Sequence, residues 1–366
     1  MKKRGFALSA ESLKRCVLTV LSAVLLSFSA CGGNALSVVL RDNDKSSGVY
    51  GGGEYTDDFE IYEGFSVNYL DVGNGDAIFI RFADGKTMLI DCGAKSDLNL
   101  KTVKRYLDAY AKDCLDYLVL THPDGDHTGN AADIAENYAI GRAYIPYLLQ
   151  PENFDPYCHA YNAIKEKAAA GETEIVYSAL GKTVCGEDYY AVFLSPNDKD
   201  ADDSAYTDVN SSAEPNSDDI NDVSPIIYLD YKGVRFIFTG DAGFSQEKVA
   251  LNNVDIGLVD RFVTAKGKSE INLTDVDFLK VSHHGSDKAS GDEFLQRITP
   301  VNAVISVSGS NNYGHPDGSV LSRIYAANEN CNVYLTSEYG TVSVLVDGNG
   351  KASVKTAETA KTAETS

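Results

Sequence analysis

The sequence predicts an α+β domain in which β-sheets pack on each other and helices lie outside. Antiparallel hairpins and strand–helix units occur in the same chain, which favours mixed sheets. Hydrophobic residues make up 43% of the 366 residues, enough for a packed core. Polar clusters rich in His and Asp directly follow several apolar strands. Loops at one rim of a sheet can converge, so these clusters indicate a single functional site.

The first thirty residues are typical of a bacterial targeting signal. A basic start precedes the apolar stretch at 16–28, which is too short for a comfortable membrane span. The small residues before Cys31 resemble a lipoprotein cleavage box, with Phe28 where Leu is usual. We predict a signal peptide at 1–30, lipidation of Cys31 and a flexible tether at 31–61. The protein would then be extracytoplasmic and lipid-anchored to the bacterial cell membrane; an ordinary secretory signal or an uncleaved anchor is the alternative.

Charge and cysteine content exclude some classes of protein. The formal net charge is −21, and the first thirty residues contribute +4 (five basic residues, one acidic), which leaves −25 for the remainder. Such a surface repels nucleic acid unless cations intervene. Five cysteines follow Cys31 without a CxxC pair, so the sequence predicts neither a disulfide framework nor a structural zinc site.

The first half of the domain alternates short apolar runs with amphipathic segments. Period-two alternation predicts the strands, and apolar residues at helical spacing predict the helices. The predicted strands are 65–73, 76–82, 86–93 and 115–120, and the predicted helices are 99–114 and 129–139.

The second half continues the same pattern and ends in a low-complexity tail. We predict a globular domain at 62–350, interrupted by an acidic surface-loop insertion at 197–222, and a disordered tail at 351–366. The predicted elements are a strand pair at 224–241, a strand and loop at 276–286, a helix at 291–299, a strand at 302–310, a helix at 319–331 and a final hairpin at 332–346.

The polar clusters carry the chemistry. The segment HPDGDH places His122, Asp124, Asp126 and His127 within six positions, directly after the apolar run LDYLVL. Burying such groups without a counter-charge is costly, and a bound cation removes that cost. Paired imidazoles and carboxylates suit divalent metal ions. TGD, SHHGS and NNYGHP each follow a further strand, and five of the six histidines lie in these clusters; we expect His159 on the surface.

The ordered motifs resemble the metallo-β-lactamase fold superfamily. LDVGNGDAIFI, LIDCG, LTHPDGDHTGN, FIFTGD, LKVSHHGS and NNYGHP resemble, more narrowly, the hydrolase domain of ComEC-type competence proteins. The resemblance covers about residues 66–348 and implies an αββα sandwich with a two-metal site at one rim. The membrane channel and OB-like domain of those proteins have no counterpart in the sequence, so we expect the hydrolase without DNA transport.

The resemblance also implies a ligand set for two divalent ions. One His of SHHGS would complete the second site; His283 is preferred because it directly leaves the strand, with His284 turned toward substrate, and the reverse remains open. The other implied ligands are His122 and Asp124 for the first ion, Asp126 and His127 for the second, and Asp241 as the bridge.

Two departures from the superfamily pattern affect the expected metal. Asp124 stands where many members have His. Between the first motif and Asp241 the only His is His159, which is badly placed, so Asn221 is a candidate replacement. Such an oxygen-rich site shifts the expected metal from zinc toward manganese or magnesium, with zinc and manganese as the leading candidates. The implied mechanism is attack by metal-activated hydroxide. Expected catalytic residues are Asp126, His284 and His315, and expected substrate-binding residues are Ser286, Asn221 and Tyr313.

Three functions agree with the sequence. The first is hydrolysis of a phosphodiester by an extracytoplasmic nuclease or phosphodiesterase, acting on DNA or a cell-wall phosphodiester. The second is hydrolysis of a lactone, thioester or lactam on the same fold, since a fold does not determine its reaction. The third is a non-catalytic, lipid-anchored binding module. We expect the membrane as a partner through Cys31 and infer no protein partner.

Overall fold

Two β-sheets form the centre of the molecule. The computed structural model describes residues 61–201, 204–211 and 215–356. The predicted signal peptide, the lipidation site at Cys31 and all of the tether except its last residue lie outside the described residues. Among the described residues, no helix combines the length and the apolar content needed to cross a bilayer.

The first sheet has eight strands in the order β15-β14-β1-β2-β3-β4-β5-β6. Its β1, β2, β3, β14 and β15 pair antiparallel, whereas β3 to β6 run parallel. The strands are β1 Phe65–Tyr69, β2 Ile78–Arg81, β3 Thr87–Ile90, β4 Leu115–Val119, β5 Ile140–Ile145, β6 Glu174–Tyr177, β14 Val342–Val346 and β15 Ala352–Lys355.

The second sheet has seven strands in the order β13-β12-β11-β10-β9-β8-β7. Strands β10 to β13 run parallel, and β7 to β10 pair antiparallel. The strands are β7 Thr183–Cys185, β8 Tyr189–Ser195, β9 Ile226–Tyr231, β10 Val234–Phe238, β11 Phe278–Lys280, β12 Asn302–Ile305 and β13 Asn332–Leu335.

Helices cover the outer faces of both sheets. The described helices are α1 Asp97–Tyr110, α2 Gly125–Thr128, α3 Ala131–Asn137, α4 Tyr157–Ala169, α5 Ala205–Ser211, α6 Ser217–Asn221, α7 Phe244–Asp255, α8 Leu258–Thr264, α9 Asp292–Ile298, α10 Gly318–Ala327 and α11 Thr336–Tyr339. Helix α1 shows why the sequence is helical there: Ser96 accepts a hydrogen bond from Asn99 N (3.1 Å), and Val103 and Leu107 place an apolar stripe on the sheet.

The buried side chains form three clusters, one for each interface between layers. One lies between the first sheet and its helices, one between the sheets, and one between the second sheet and its helices. Alternation along β1 sends Phe65, Val67 and Tyr69 into the cluster between the sheets. This order of layers confirms the predicted αββα sandwich.

The predicted final hairpin is wrong. Strand β13 pairs with β12 in the second sheet, whereas β14 pairs with β1 in the first. Between them the chain forms the short helix α11 and turns at Gly340, whose φ is +66°. The alternation of apolar residues marks each strand correctly but carries no information about its partner.

Two further segments are more ordered than the sequence predicts. The predicted acidic loop contains helices α5 and α6, and Tyr206 and Val209 of α5 are buried in the core. Because only a few apolar residues anchor this segment to the core, its overall composition is still that of a polar loop. The predicted tail is wrong for Ala352–Lys355, which form the edge strand β15. Strands β5 to β8 and helices α4, α7 and α8 were not predicted.

Candidate metal centre

The polar clusters meet at one end of the sandwich. The segment that follows β4 in the first sheet lies against the segments that follow β10, β11 and β12 in the second. Because β10, β11 and β12 run parallel, their carboxyl ends share one edge. The sequence places a polar segment at each of these ends, and the fold brings them together.

His122 is fully buried and presents one free nitrogen to two carboxylates. Its Nδ1 lies 3.0 Å from Thr121 Oγ1 and 3.2 Å from Ser224 Oγ, which fixes the ring. Its Nε2 has no hydrogen-bond partner in the described part of the chain. That nitrogen lies 3.7 Å from Asp124 Oδ2 and 4.0 Å from Asp241 Oδ2. A buried acceptor or donor without a partner is rare, and a metal ion would satisfy it.

His127 is oriented from behind by a carboxylate. Its Nδ1 lies 2.8 Å from Asp91 Oδ2, and both side chains are fully buried. Its Nε2 faces Asp241 Oδ1 and His284 Nε2, each at 3.2 Å. A carboxylate that holds the far nitrogen of an imidazole is typical of metal-binding histidines, because it fixes the tautomer and the ring orientation.

Asp241 lies within 4.0 Å of four imidazole nitrogens, those of His122, His127, His283 and His284. Its side chain is 4% exposed, and its Oδ2 is 3.5 Å from His284 Nε2 and 3.7 Å from His283 Nε2. Burial disfavours its charged form, but the imidazoles of His127 and His284 outweigh burial and hold the pKa of Asp241 well below its ordinary value. The carboxylate is therefore ionised and can bridge two cations.

The two histidines of SHHGS differ in burial and in the groups that they face. Both adopt left-handed backbone, with φ of +50° for His283 and +54° for His284. His284 is buried, its Nδ1 lies 2.9 Å from the carbonyl oxygen of Ser306, and its Nε2 lies 3.4 Å from Asp126 Oδ2. His284 thus points to the ligand cluster, and this geometry favours the reverse assignment that the sequence leaves open.

His283 lies on the open side of the cluster. Its side chain is 25% exposed, and its Nδ1 lies 3.4 Å from the Asn221 side-chain nitrogen. Burial and the neighbouring imidazole of His284 lower the pKa of His283, with Asp241 opposing them. Neutral His283 can therefore contact substrate or donate to an ion held by Asp241.

Two groups of potential ligands consist entirely of residues from the motifs HPDGDH, TGD and SHHGS. The His122 group comprises His122, His127 and Asp241, and the His284 group comprises Asp126, His127 and His284; within each, the ligand atoms lie within 4.8 Å of one another. Asp124 is 43% exposed and adjoins the His122 group. Imidazole and carboxylate donors in this ratio fit divalent ions such as zinc or manganese.

The pKa directions of the buried histidines match a cluster of carboxylates that favours positive charge. Burial disfavours the imidazolium of His127, but Asp241 and Asp91 outweigh burial and hold the pKa of His127 well above its ordinary value. The pKa of His284 is raised in the same way, by Asp241 and Asp126 against burial. A metal ion bound there would replace these protons.

The predicted substrate residues lie around the cluster. The ring of His315 is 6.0 Å from that of His283, and its Nδ1 is buried without a hydrogen-bond partner among the described residues. Tyr313, 74% exposed, stacks on His315 with ring centroids 5.8 Å apart. Asn221 and Ser286 are each 5% exposed, and Asn221 Oδ1 is also without a partner in the same part of the chain.

Sequence reasoning missed three residues that support the ligands: Asp91, Thr121 and Ser224. Asp91 accepts from Thr121 N (2.8 Å) and Thr121 Oγ1 (2.7 Å) as well as contacting His127. The available signal was the LIDCG motif, in which a carboxylate directly follows a buried strand. His159 is surface-exposed, at 69% of its side chain, beside Asp155 and Cys158.

Comparison with known proteins agrees with this geometry. The sequence profile of the metallo-beta-lactamase superfamily matches residues 70–309, which is more than half of the chain. The chain is 27% identical to ComE operon protein 3 of Bacillus subtilis over 291 residues, covering 75% of this chain and 32% of that protein. It is 25% identical to Recombination protein 2 of Haemophilus influenzae over 265 residues, covering 71% of this chain and 26% of that protein.

The chain therefore spans about a third or less of the length of these relatives. Among solved structures, the metallo-beta-lactamase fold protein YhfI from Bacillus subtilis is 9% identical, with a TM-score of 0.43, over 80% of this chain and 100% of that one. The profile match, the ordered motifs and the convergence of their side chains at one rim lead to one conclusion. The chain belongs to the metallo-beta-lactamase superfamily, a family of metal-dependent hydrolases, and within it resembles the ComEC-type competence proteins.

Proposed function

We propose that this protein is a two-metal phosphodiesterase that acts outside the cytoplasm. His122 and Asp124 would hold one divalent ion, Asp126, His127 and His284 would hold the other, and Asp241 would bridge them. The observation that carries the proposal is the position of Asp241, a buried, ionised carboxylate within 4.0 Å of four imidazole nitrogens. When bound, two divalent ions lower the pKa of a water molecule toward neutrality and polarise a phosphoryl oxygen.

The chain's own residues would bind and orient the phosphodiester. Burial and the neighbouring imidazole of His283 lower the pKa of His315, so its ring is neutral near pH 7. In our proposal neutral His315 donates its single N–H as a hydrogen bond to a phosphoryl oxygen and keeps that proton, and the leaving oxygen takes its proton from solvent water. His283, which faces Asp241 from the open side, would line the same pocket. Asn221, Ser286 and Tyr313 would complete its wall.

A direct test combines metal analysis with turnover. The purified full chain would be analysed for bound zinc and manganese and assayed on bis-p-nitrophenyl phosphate, beside the variant Asp126→Ala/His127→Ala. We expect two metal equivalents and a turnover that falls roughly a thousandfold or more in the variant. The control is Asp155→Ala, because Asp155 is exposed beside His159; this variant should keep both the bound metal and the turnover. Single-stranded DNA and phosphocholine esters would then be compared as substrates.

The alternatives give different results in the same assay. Two bound ions without phosphodiester turnover, together with cleavage of a lactone, thioester or chromogenic lactam, would replace the proposal with another hydrolase on this fold. Absence of bound metal at any tested concentration would favour a lipid-anchored binding module.

We further propose that lipid on Cys31 holds the enzyme at the outer face of the cell membrane. The apolar stretch at 16–28 and the small residues before Cys31 support this proposal. Cys31→Ser should move the protein from the detergent phase to the aqueous phase in a detergent-partitioning experiment, with Cys114→Ser as the control. Unchanged partitioning of Cys31→Ser would contradict the lipid anchor.

A further inference from the structure

Lys280 is a buried cation that the proposed chemistry does not use. It is the last residue of β11, four positions before His284, and its side chain is fully buried. Its Nζ lies 2.7 Å from Asp76 Oδ2 and donates to the carbonyl oxygen of Val281 (2.9 Å). Burying two charges costs free energy that a well-packed apolar pair would not, so fold stability alone does not explain this pair.

The ion pair joins the two sheets directly beneath the His284 group. Asp76 lies in the loop between β1 and β2 of the first sheet, whereas Lys280 belongs to the second. The second oxygen of this carboxylate, Oδ1, has no hydrogen-bond partner among the described residues and lies 3.8 Å from His284 Nδ1. Asp76 is thus held by Lys280 on one side and faces the imidazole of His284 on the other.

The same loop also supports Asp126. Gly75 has a φ of +130°, and a Cβ at this position would lie 2.2 Å from the carbonyl oxygen of Asp126. The loop therefore touches two of the three members of the His284 group from behind. The corresponding support of His122 comes from other residues, the hydroxyls of Thr121 and Ser224.

Asp76 has a second potential role that Lys280 suppresses. Its carboxylate, that of Asp91 and the imidazole of His127 also lie within 4.8 Å of one another, and all three are buried. A free Asp76 could draw an ion, or His127 itself, toward this deeper position. Lys280 occupies one oxygen of Asp76 and neutralises its charge, which keeps His127 available to the His284 group.

From these contacts we propose that Lys280 and Asp76 form a positioning pair for the second metal ion, which is the ion held by the His284 group. The pair sets the affinity for this ion and leaves the affinity for the first ion unchanged. The proposal rests on the proposed two-metal function. Neither residue touches substrate; both act through His284, His127 and Asp126. Removal of such supporting partners typically lowers metal affinity about 10- to 100-fold.

Zinc titration of the metal-free full chain tests the proposal. The variants are Asp76→Asn, which keeps the side-chain volume, and Lys280→Met/Asp76→Leu, which replaces both charges with apolar groups and leaves none unpaired. Stepwise dissociation constants come from chelator competition, and cobalt absorption spectra report each site separately. Lys288→Met is the control, because Lys288 is 60% exposed and pairs with Asp218. Circular dichroism checks that each variant is folded.

In both variants we expect the dissociation constant of the second zinc to rise about tenfold or more. The dissociation constant of the first zinc should stay within about twofold of the wild-type value. Equal weakening of both ions, or unchanged constants in both variants, would overturn the positioning role. If the wild type and both variants bind two ions with the same affinities, the inference is refuted and the two-metal proposal stands. A wild type that binds no second ion refutes the two-metal proposal and the inference together.

Discussion

Asp91 shows how a single buried carboxylate prepares a metal ligand. It accepts two hydrogen bonds from Thr121 and contacts Nδ1 of His127 at 2.8 Å, although its own backbone is left-handed with φ of +57°. A non-glycine residue in this conformation costs about 1–3 kcal/mol, and strain of this kind accumulates at functional sites. The strain is consistent with a role at the metal centre rather than in packing.

The substitution Asp91→Asn should weaken metal binding. The side-chain amide nitrogen that it introduces would face either the N–H of His127 or, if the amide is flipped, the backbone N–H of Thr121. Either way one of the contacts that fix the imidazole is lost. We expect zinc affinity to fall about 10- to 100-fold, measured by chelator competition near neutral pH. Asp255→Asn, at an exposed partner of Arg297, is the control. Unchanged affinities for both variants would disprove the supporting role of Asp91.

At the scale of elements, the loop between β1 and β2 is the one whose shape matters most for the site. Two of its glycines, Gly73 and Gly75, have positive φ, and Gly75 lies against the backbone of Asp126. The hairpin between β2 and β3 provides a comparison, because Gly85 has a φ of +87° but a Cβ added there would meet no atom within 4 Å. Comparing Gly75 with Gly85 therefore separates backbone strain from steric conflict.

Gly75→Ala should destabilise the protein more than Gly85→Ala. Both substitutions place alanine at positive φ, at a cost of about 1–2 kcal/mol. Only Gly75→Ala also pushes a methyl group into the carbonyl of Asp126, for a total of about 2–5 kcal/mol. Urea unfolding of the metal-free chain measures both. Equal losses of stability would show that the loop can move away from Asp126.

Helices α7 and α9 are joined by a buried carboxylate. Glu247 of α7 is 2% exposed and accepts hydrogen bonds from the backbone N–H groups of Ser290 (2.6 Å) and Gly291 (2.9 Å), directly before α9. Burial raises the pKa of Glu247 to about 7, and the two hydrogen bonds oppose it. Because this segment follows His284 and Ser286, Glu247 also limits the movement of the site.

The raised pKa of Glu247 predicts a pH-dependent stability. The folded state holds the proton more tightly than the unfolded state, so this stabilisation is complete below the ordinary pKa of about 4.5 and is lost as pH rises through about 7. Between about pH 5 and pH 8, the free energy of unfolding of the wild type should fall because Glu247 ionises. In Glu247→Gln this decrease should be smaller by on the order of 1–3 kcal/mol. Urea midpoints at each pH measure this, with exposed Glu293→Gln as control. Identical pH profiles for wild type and Glu247→Gln would contradict the assignment.

For the whole molecule, the dominant property is its negative charge. The net charge is −21, so the molecule as a whole is acidic although we propose that it acts on phosphodiesters. Nucleases that bind through basic surfaces lose affinity as salt rises, because counterions are released from the polyanion. An acidic surface reverses this dependence, since salt screens the repulsion.

The KM for single-stranded DNA should therefore fall as salt rises. Between about 20 and 200 mM sodium chloride, we expect a decrease of about threefold or more, because the Debye length shortens from roughly 20 Å to under 10 Å. The KM for bis-p-nitrophenyl phosphate, which carries one charge, should change little. Steady-state kinetics at constant manganese would measure both. A KM for DNA that increases with salt would reveal a local basic surface.

The sequence by itself determined the fold class, the family and the residues that could bind metal, because each depends on local order. Apolar alternation gives the strands, and motifs such as HPDGDH place ligands at strand ends within a few positions. Asp126, His127 and Asp241 could be named in this way, and all three lie in the cluster.

Only the tertiary structure decided which partner each element has and which way each side chain points. It separated β13 from β14 into different sheets, turned His284 rather than His283 into the ligand cluster, and brought Asp91, Ser224 and Lys280 beneath the site. Consecutive histidines are equivalent in a one-dimensional pattern. Their difference arises from left-handed backbone and from a carbonyl of Ser306, 22 residues away, and contacts at such separations are made by the packing of the two sheets.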